Sequence, residues 1–301
     1  MALTEDRLML PSLYDAPKDF AKLFKLRAQL ETLGPAVVID FTRCSFIRHN
    51  AVAFLGALIR HCESLGKRVR IDWPTVRVAV CVNLRQNGFA HTFGDPIHPW
   101  DGNSIPYRED VVGPASPLHE KRDQVMNYLR ARWLGRHWVN VSTALGNAIR
   151  GRVWEIYANS FEHAASPVGV FTCGQHYPKQ RQLSLCVVDF GEGIPHKVRR
   201  YLGRPRMRAS DAVHWAFQRG HSTDPGIGRG LGFDILSEFV RFNHGRMDVY
   251  SGGAHARIAR DVNQFEDVED EFRGTIVDIR LTCDESVYVL ASELPSGPLF
   301  E

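Results

Sequence analysis

The stretch LSLCVVDFGEG, residues 183–193, joins an apolar run to a carboxylate and two glycines. The run predicts a buried strand from Gln182 to Asp189. A carboxylate at the end of such a strand can accept a hydrogen bond from an adenine amino group, and Gly191 and Gly193 would let the backbone lie close to a flat base. The alternative is an ordinary turn between a strand and a loop.

A second motif precedes this strand, in the predicted helix WEIYANSFEHA, residues 154–164. Glu155 and Asn159 are four residues apart, so both side chains project from one face of the helix. A carboxylate beside an amide on a rigid helix could hold Mg²⁺ and orient a water or hydroxyl for attack. A solvated helix face is the alternative for this pair.

A third motif, GIGRGLG, follows the strand and stands directly before a predicted helix that begins at Phe233. Its alternating glycines would expose successive backbone N–H groups, and the start of the helix would favour an anion. The motif lacks the GK[ST] ending of a P-loop and the spacing of a dinucleotide fingerprint. We expect phosphate as the ligand, with a merely flexible loop as the alternative. The motif residues are Gly226, Gly228, Arg229, Gly230 and Gly232.

In this order, the three motifs resemble the GHKL superfamily of ATP-binding domains. Histidine kinases, type II topoisomerases, mismatch-repair proteins and anti-sigma-factor kinases belong to it. Glu155 and Asn159 match the family's N box, which implies a general base and a Mg²⁺ ligand. Asp189, Gly191 and Gly193 match its first glycine box, in which the aspartate binds adenine.

The rest of the family pattern follows along the chain. Gly228, Gly230 and Gly232 match the second glycine box, which wraps the phosphates, and Gly274-Thr275 matches the closing pair that supports the aspartate. The resemblance covers about residues 140–282 and implies that about 194–225 form a mobile ATP lid. Its implied ligands are ATP and Mg²⁺.

The N-terminal residues predict a compact β-α-β-α unit. PAVVIDF (35–41) and KRVRIDW (67–73) predict strands, while helices are expected after Asn50 and over 75–87. This unit resembles a STAS domain, the fold of anti-sigma-factor antagonists. Arg48-His49-Asn50 stands where that family carries a phosphate-accepting serine or threonine. The resemblance therefore implies a docking or dimerisation module.

We thus predict a two-domain α/β chain: an N-terminal STAS-like α/β domain, and a C-terminal GHKL (Bergerat) α/β sandwich with a mixed sheet and helices on one face. The predicted boundaries are 1–95 for the STAS-like domain, 96–118 for a linker that contains five prolines, 119–283 for the ATP-binding domain and 284–301 for a tail.

Composition limits the remaining classes of function. The 301 residues carry a formal charge of +3, too small to imply a nucleic-acid or membrane partner. The six cysteines form no C-x-x-C pair and are expected to be small buried apolar residues in a reducing compartment. With no signal peptide or apolar span expected, the predicted location is cytoplasmic.

Two hypotheses from different classes remain. The first is an enzyme of the anti-sigma-factor-kinase type, which hydrolyses ATP or transfers its phosphoryl group to a protein in bacterial signalling. The second is a non-catalytic switch that ATP operates and that binds a protein partner through the STAS-like domain. Homodimerisation is compatible with both. A DNA-associated ATPase is disfavoured, because the segment after Cys283 is too short for the transducer domain of those proteins.

Overall fold

The computed structural model describes residues 5–111, 117–163, 166–218, 221 and 233–294. Its N-terminal unit has a three-stranded parallel sheet in the order β1-β2-β3. Its elements are β1 (Asp6–Met9), α1 (Pro17–Thr32), β2 (Ala36–Asp40), α2 (His49–Ser64), β3 (Arg68–Ile71), α3 (Val78–Gln86) and α4 (Phe89–Thr92).

A larger sheet has the strand order β10-β9-β8-β11-β7-β6-β4. Each of its six pairings is antiparallel, so the prediction of a mixed sheet is wrong for the described residues. Short turns join β6 to β7 and β8 to β9, and a short turn pairs strands only in the antiparallel sense. The seven strands are β4 (Ser104–Asp110), β6 (Val170–Tyr177), β7 (Gln182–Asp189), β8 (Arg246–Ser251), β9 (Ala254–Ala259), β10 (Val262–Asp267) and β11 (Thr275–Thr282). The two-stranded sheet of β5 (Asn140–Val141) and β12 (Val287–Tyr288) is separate.

Helices cover one face of the large sheet. Leu183, Leu185 and Val187 alternate along β7 and pack toward this side, as the period of two in a strand requires. The covering helices are α5 (Leu118–Tyr128), α6 (Thr143–His163), α7 (Ile194–Leu202), α8 (Ala209–Phe217) and α9 (Phe233–Phe242).

The opposite face of the large sheet is covered by the N-terminal unit. Cys186 and Val188 of β7 share a buried cluster with residues of α1 and α2, including Phe24 and Phe54. The described helices of the predicted ATP-binding domain thus lie on one face of the sheet, as predicted, and helices of the N-terminal unit cover the other face. The prediction treated residues 1–95 as separate, whereas α2 uses its apolar surface to bury the second face.

Strand β4 lies inside the segment predicted to be a linker. Ile105 and Tyr107 are buried. The Tyr107 ring packs directly against Gly56 of α2, where a Cβ atom would lie 1.9 Å from the phenol oxygen. Pro106 coincides with a register shift at the edge of the sheet, which is where a strand tolerates proline. Residues 104–110 are therefore part of the core; the predicted domain boundaries themselves stay a prediction.

Two further segments contain regular structure that the sequence analysis did not predict, and the mobility of the lid stays a prediction. Helices α7 and α8 fall in the predicted lid, yet Val198 and Val213 are buried against the sheet. The predicted tail contributes β12, and Tyr288 packs edge-on against Phe239 with ring centroids 5.5 Å apart.

The cysteine prediction is confirmed in part. All six are free thiols; Cys44, Cys62, Cys173 and Cys186 are buried, and the other two are half-buried. Within the described ranges, no helix combines the length and the apolar character needed to cross a bilayer.

Candidate functional site

A small cavity lies where α6, α7 and the start of α9 meet the ends of β7 and β11. Its volume is about 40 Å³, which is room for roughly one water molecule. Its walls combine apolar side chains with a few polar ones. The lining residues are Ile156, Asn159, Ser160, Asp189, Ile194, Lys197, Val198, Phe233, Thr275 and Val277.

Asp189 is the acidic group of this cavity. It is the last residue of β7, pairs with Thr275 of β11 and is only 4% exposed. One carboxylate oxygen accepts a hydrogen bond from the Ser160 hydroxyl (2.8 Å) and the other from the Gly191 N–H (2.9 Å). Burial raises the pKa of Asp189, while these two donors and the charge of Lys197 act in the opposite direction. The predicted pair of Asp189 and Gly191 is therefore in direct contact.

The glycines of this region are required by close backbone approach. Gly193 has φ 79°, and a Cβ there would lie 3.0 Å from the Gly274 carbonyl oxygen. Gly274 has φ 134°, and a Cβ there would lie 2.2 Å from the Asp189 carbonyl oxygen. Ser251 joins the two segments, because its hydroxyl accepts from the Ile194 N–H (2.8 Å) and donates to the Gly274 carbonyl (2.7 Å). Larger residues would push the loop away from the ends of β8 and β11.

Glu155 and Asn159, the predicted pair on α6, lie in different environments. Asn159 lines the cavity with Asp189 and Thr275. Glu155, one turn earlier, is not among the lining residues, and Arg152 donates to its carboxylate at 2.6 Å. The structure thus brings Asn159 to Asp189 but leaves Glu155 beside the cavity, in an ion pair.

Lys197 is a cavity residue that the sequence analysis missed. It lies on α7, and its ammonium donates to the backbone carbonyl of Asn159 at 3.1 Å. Burial lowers the pKa of Lys197 to about 8, although Asp189 and Glu192 attract its charge. The only sequence signal for it was its place eight residues after Asp189, within a segment predicted to be a mobile lid.

The third motif cannot be compared with this geometry. Its five predicted ligands lie outside the described residues. They are Gly226, Gly228, Arg229, Gly230 and Gly232. Their phosphate-binding role stays a prediction.

Asn159 offers one side-chain oxygen at the cavity, to which the sequence analysis assigned Mg²⁺. Within the described residues, its side-chain amide has no hydrogen-bond partner, and no group of three or more His, Cys, Asp or Glu side chains could hold a metal. Mg²⁺ commonly takes one or two protein oxygens and completes its shell with water and phosphate oxygens. The Asn159 amide oxygen could serve as one such protein ligand, and binding of Mg²⁺ here stays a prediction.

The segment Arg48-His49-Asn50 lies between the N-terminal unit and the large sheet. His49 is 3% exposed, and its ring nitrogens hydrogen-bond to Asp278 (2.8 Å) and to the Tyr177 hydroxyl (3.1 Å). Asn50 is fully buried and donates to the Tyr14 carbonyl. This segment therefore serves an internal interface and is not presented to solvent.

A larger cavity of about 560 Å³ lies between α8, α9 and β10. It is lined by aromatic and charged residues such as Phe217, Glu238 and Arg241, and it contains none of the predicted site residues. Asp189, with its burial and its converging donors, makes the smaller cavity the better candidate.

The chain was also compared with known proteins. No protein-family model matches it. No curated protein matches it either.

Proposed function

We propose that this chain binds Mg²⁺-ATP at the cavity around Asp189 and acts as an ATP-dependent regulatory protein of the GHKL type. The observation that carries the proposal is the buried Asp189 carboxylate at the end of β7, where Gly193 and Gly274 bring three chain segments into close approach. A carboxylate is costly to bury, so its presence in a largely apolar cavity indicates a functional demand.

The carboxylate supports the choice of adenine. An ionised carboxylate has about four acceptor positions; Ser160 and Gly191 use two of them, and the backbone N–H of Thr275 also interacts with the carboxylate. The remaining positions suit the exocyclic amino group of adenine. Guanine carries a carbonyl oxygen at the corresponding ring position, and that oxygen would face the negative charge of Asp189 with no proton between them.

Asn159 is the proposed metal ligand. When bound, Mg²⁺ would neutralise charge on the phosphates, and the Asn159 side-chain oxygen would hold it at the cavity edge. The predicted loop of Gly226 to Gly232 would supply backbone N–H groups to the phosphates.

The cavity must widen to admit a purine, because its present volume is about 40 Å³. Ile194 and Lys197 of α7 and Phe233 of α9 form the walls that would have to move. We therefore expect binding of ATP to displace the first turns of α7 and α9.

One observation favours the alternative of a non-catalytic switch. The Glu155 carboxylate is engaged by Arg152 and does not line the cavity. A general base must come within hydrogen-bond reach of its water, directly or through a second water. Glu155 would therefore have to leave Arg152, or move with it, before hydrolysis or phosphoryl transfer could occur.

Calorimetric titration tests the proposal. Purified protein should take up ATP with Mg²⁺ and should bind GTP at least about tenfold more weakly, which corresponds to a difference of about 1.4 kcal/mol. Release of phosphate from ATP, with and without candidate protein partners, then separates an enzyme from a switch. If the protein takes up neither nucleotide, the proposal is wrong.

A further inference from the structure

The aromatic residue after Asp189 is buried in the N-terminal unit. Phe190 is 4% exposed, and its ring centroid lies 5.3 Å from that of Phe54 and 5.2 Å from that of His61. Both of these residues belong to α2. The loop that carries Asp189 on one side is therefore anchored by its next residue on the other side of the large sheet.

The segment that leads into Thr275 is anchored in the same cluster. Phe272 is 1% exposed and contacts Phe190 edge-on, with centroids 5.2 Å apart. It also stacks on Phe24 of α1 at 5.2 Å. The two strands that end at Asp189 and begin at Thr275 thus share one aromatic cluster with α1 and α2.

Arg27 of α1 contacts both segments at once. Its guanidinium carbon lies 4.9 Å from the Phe190 ring centroid and 5.4 Å from that of Phe272. One of its nitrogens donates to the Arg273 carbonyl at 2.5 Å, and Glu31 orients the group through a 2.8 Å ion pair. A planar guanidinium can stack on a ring and donate at its edge at the same time, which an ammonium cannot do.

The residues that Arg27 contacts are adjacent to the proposed adenine-binding residues. Arg273 precedes Gly274, which touches the Asp189 backbone, and Phe190 adjoins both Asp189 and Gly191. A shift of the Arg27 contacts would therefore move the Asp189 carboxylate and the Gly191 N–H that orients it.

We propose that Arg27 is a positioning residue for the nucleotide site, through which the N-terminal unit sets the affinity of the Asp189 cavity for ATP. The proposal rests on the proposed function for its ligand. The partner that the N-terminal unit engages is therefore the nucleotide-binding loop of its own chain.

Arg60 offers a matched control. It lies on α2 at the same interface, stacks over Phe93 at 4.8 Å and forms ion pairs with Glu109 and Glu63. Its contacts lead to β4, an edge strand that lies three strands away from β11 and Thr275. Arg60→Ala removes the same kinds of contact without touching the loop.

The test combines two measurements on full-length Arg27→Ala, Arg27→Lys and Arg60→Ala proteins. Amide hydrogen exchange without nucleotide should speed up at Gly191 and Ile194 in Arg27→Ala, less in Arg27→Lys, and stay at the wild-type rate in Arg60→Ala. Calorimetry should give a Kd for ATP that is about tenfold higher in Arg27→Ala and unchanged in Arg60→Ala.

Two results would overturn the proposal: unchanged exchange and affinity in Arg27→Ala, or the same losses in Arg60→Ala, which would indicate general loosening of the interface. Wild-type protein that binds no ATP would remove the proposed function and, with it, the affinity claim. The exchange rates would then show separately whether Arg27 positions the loop.

Discussion

The hydroxyl of Ser160 on α6 donates a 2.8 Å hydrogen bond to the carboxylate of Asp189 on β7, and both residues are buried. The same hydroxyl lies 3.1 Å from the Ile156 carbonyl, so its hydrogen has two possible acceptors. This contact fixes the orientation of the Asp189 side chain, which is the group proposed to bind adenine.

Replacing Asp189 with Asn should separate binding from stability. Asn can accept from the Gly191 N–H and donate to the Ser160 oxygen, whose hydrogen then goes to the Ile156 carbonyl, so these two bonds survive. Affinity for ATP should fall about 10- to 100-fold, the range for a lost hydrogen bond to a charged group, as measured by calorimetry.

The same variant has a pH-dependent effect on stability. Burial raises the pKa of Asp189, so this group stabilises the fold at low pH and that contribution is lost as pH rises through the folded-state pKa. The Tm of Asp189→Asn should therefore equal or exceed that of wild type near neutral pH, with the margin shrinking toward pH 4. A large loss of Tm at neutral pH would mean that Asp189 is structural.

Glu155→Ala should abolish turnover of ATP and leave its Kd within about twofold, if the enzyme hypothesis holds. Removing a general base typically slows a reaction by about 10²- to 10⁴-fold. Glu120→Ala is the control, because Glu120 is an exposed carboxylate on α5 and does not line the cavity. Undiminished phosphate release by Glu155→Ala would exclude the general-base role.

Lys197 should be a reactive amine that ATP protects. With its pKa lowered to about 8 by burial, half of its amine is neutral at that pH and open to acylation. Labelling followed by mass spectrometry should give a midpoint near this pH, and Mg²⁺-ATP should slow the modification. The exposed Lys179 provides the control, since ATP should not change its rate. Equal protection of both lysines would contradict a site at Lys197.

Gly274→Ala should destabilise the fold by about 3 kcal/mol or more, because it adds a clash with the Asp189 carbonyl to backbone strain at φ 134°. Gly66→Ala is the control, because Gly66 also has a positive φ (81°) but nothing lies within 4 Å of the new Cβ. It should lower the free energy of unfolding by about 1 kcal/mol. Denaturant unfolding measures both. Similar costs would show that the approach of Gly274 to Asp189 is relaxed in solution.

Strong local patterns predicted much of the fold. The strand at Gln182–Asp189 matches the sequence analysis because its apolar run is continuous. Residues 233–242 are helical, as predicted, and the residues directly before them lie outside the described ranges. Asp189, Asn159 and Thr275 line one cavity, while their roles in binding stay a prediction.

The features that the sequence analysis did not predict depend on tertiary contacts. Strand β10 is polar and exposed, so it carries little apolar signal, and the prolines around β4 concealed an edge strand. Neither Lys197 nor Arg27 belongs to a recognisable motif. Their roles depend on which helix packs beside the loop at Asp189, and no local pattern encodes that choice.

A crystal structure with bound Mg²⁺ and a non-hydrolysable ATP analogue tests the central claim most directly. The account predicts an adenine between α6 and the start of β11, with its amino group hydrogen-bonded to the Asp189 carboxylate and Asn159 at the metal. Nucleotide bound elsewhere, such as in the cavity between α8, α9 and β10, or an Asp189 that makes no contact with the base, would contradict it.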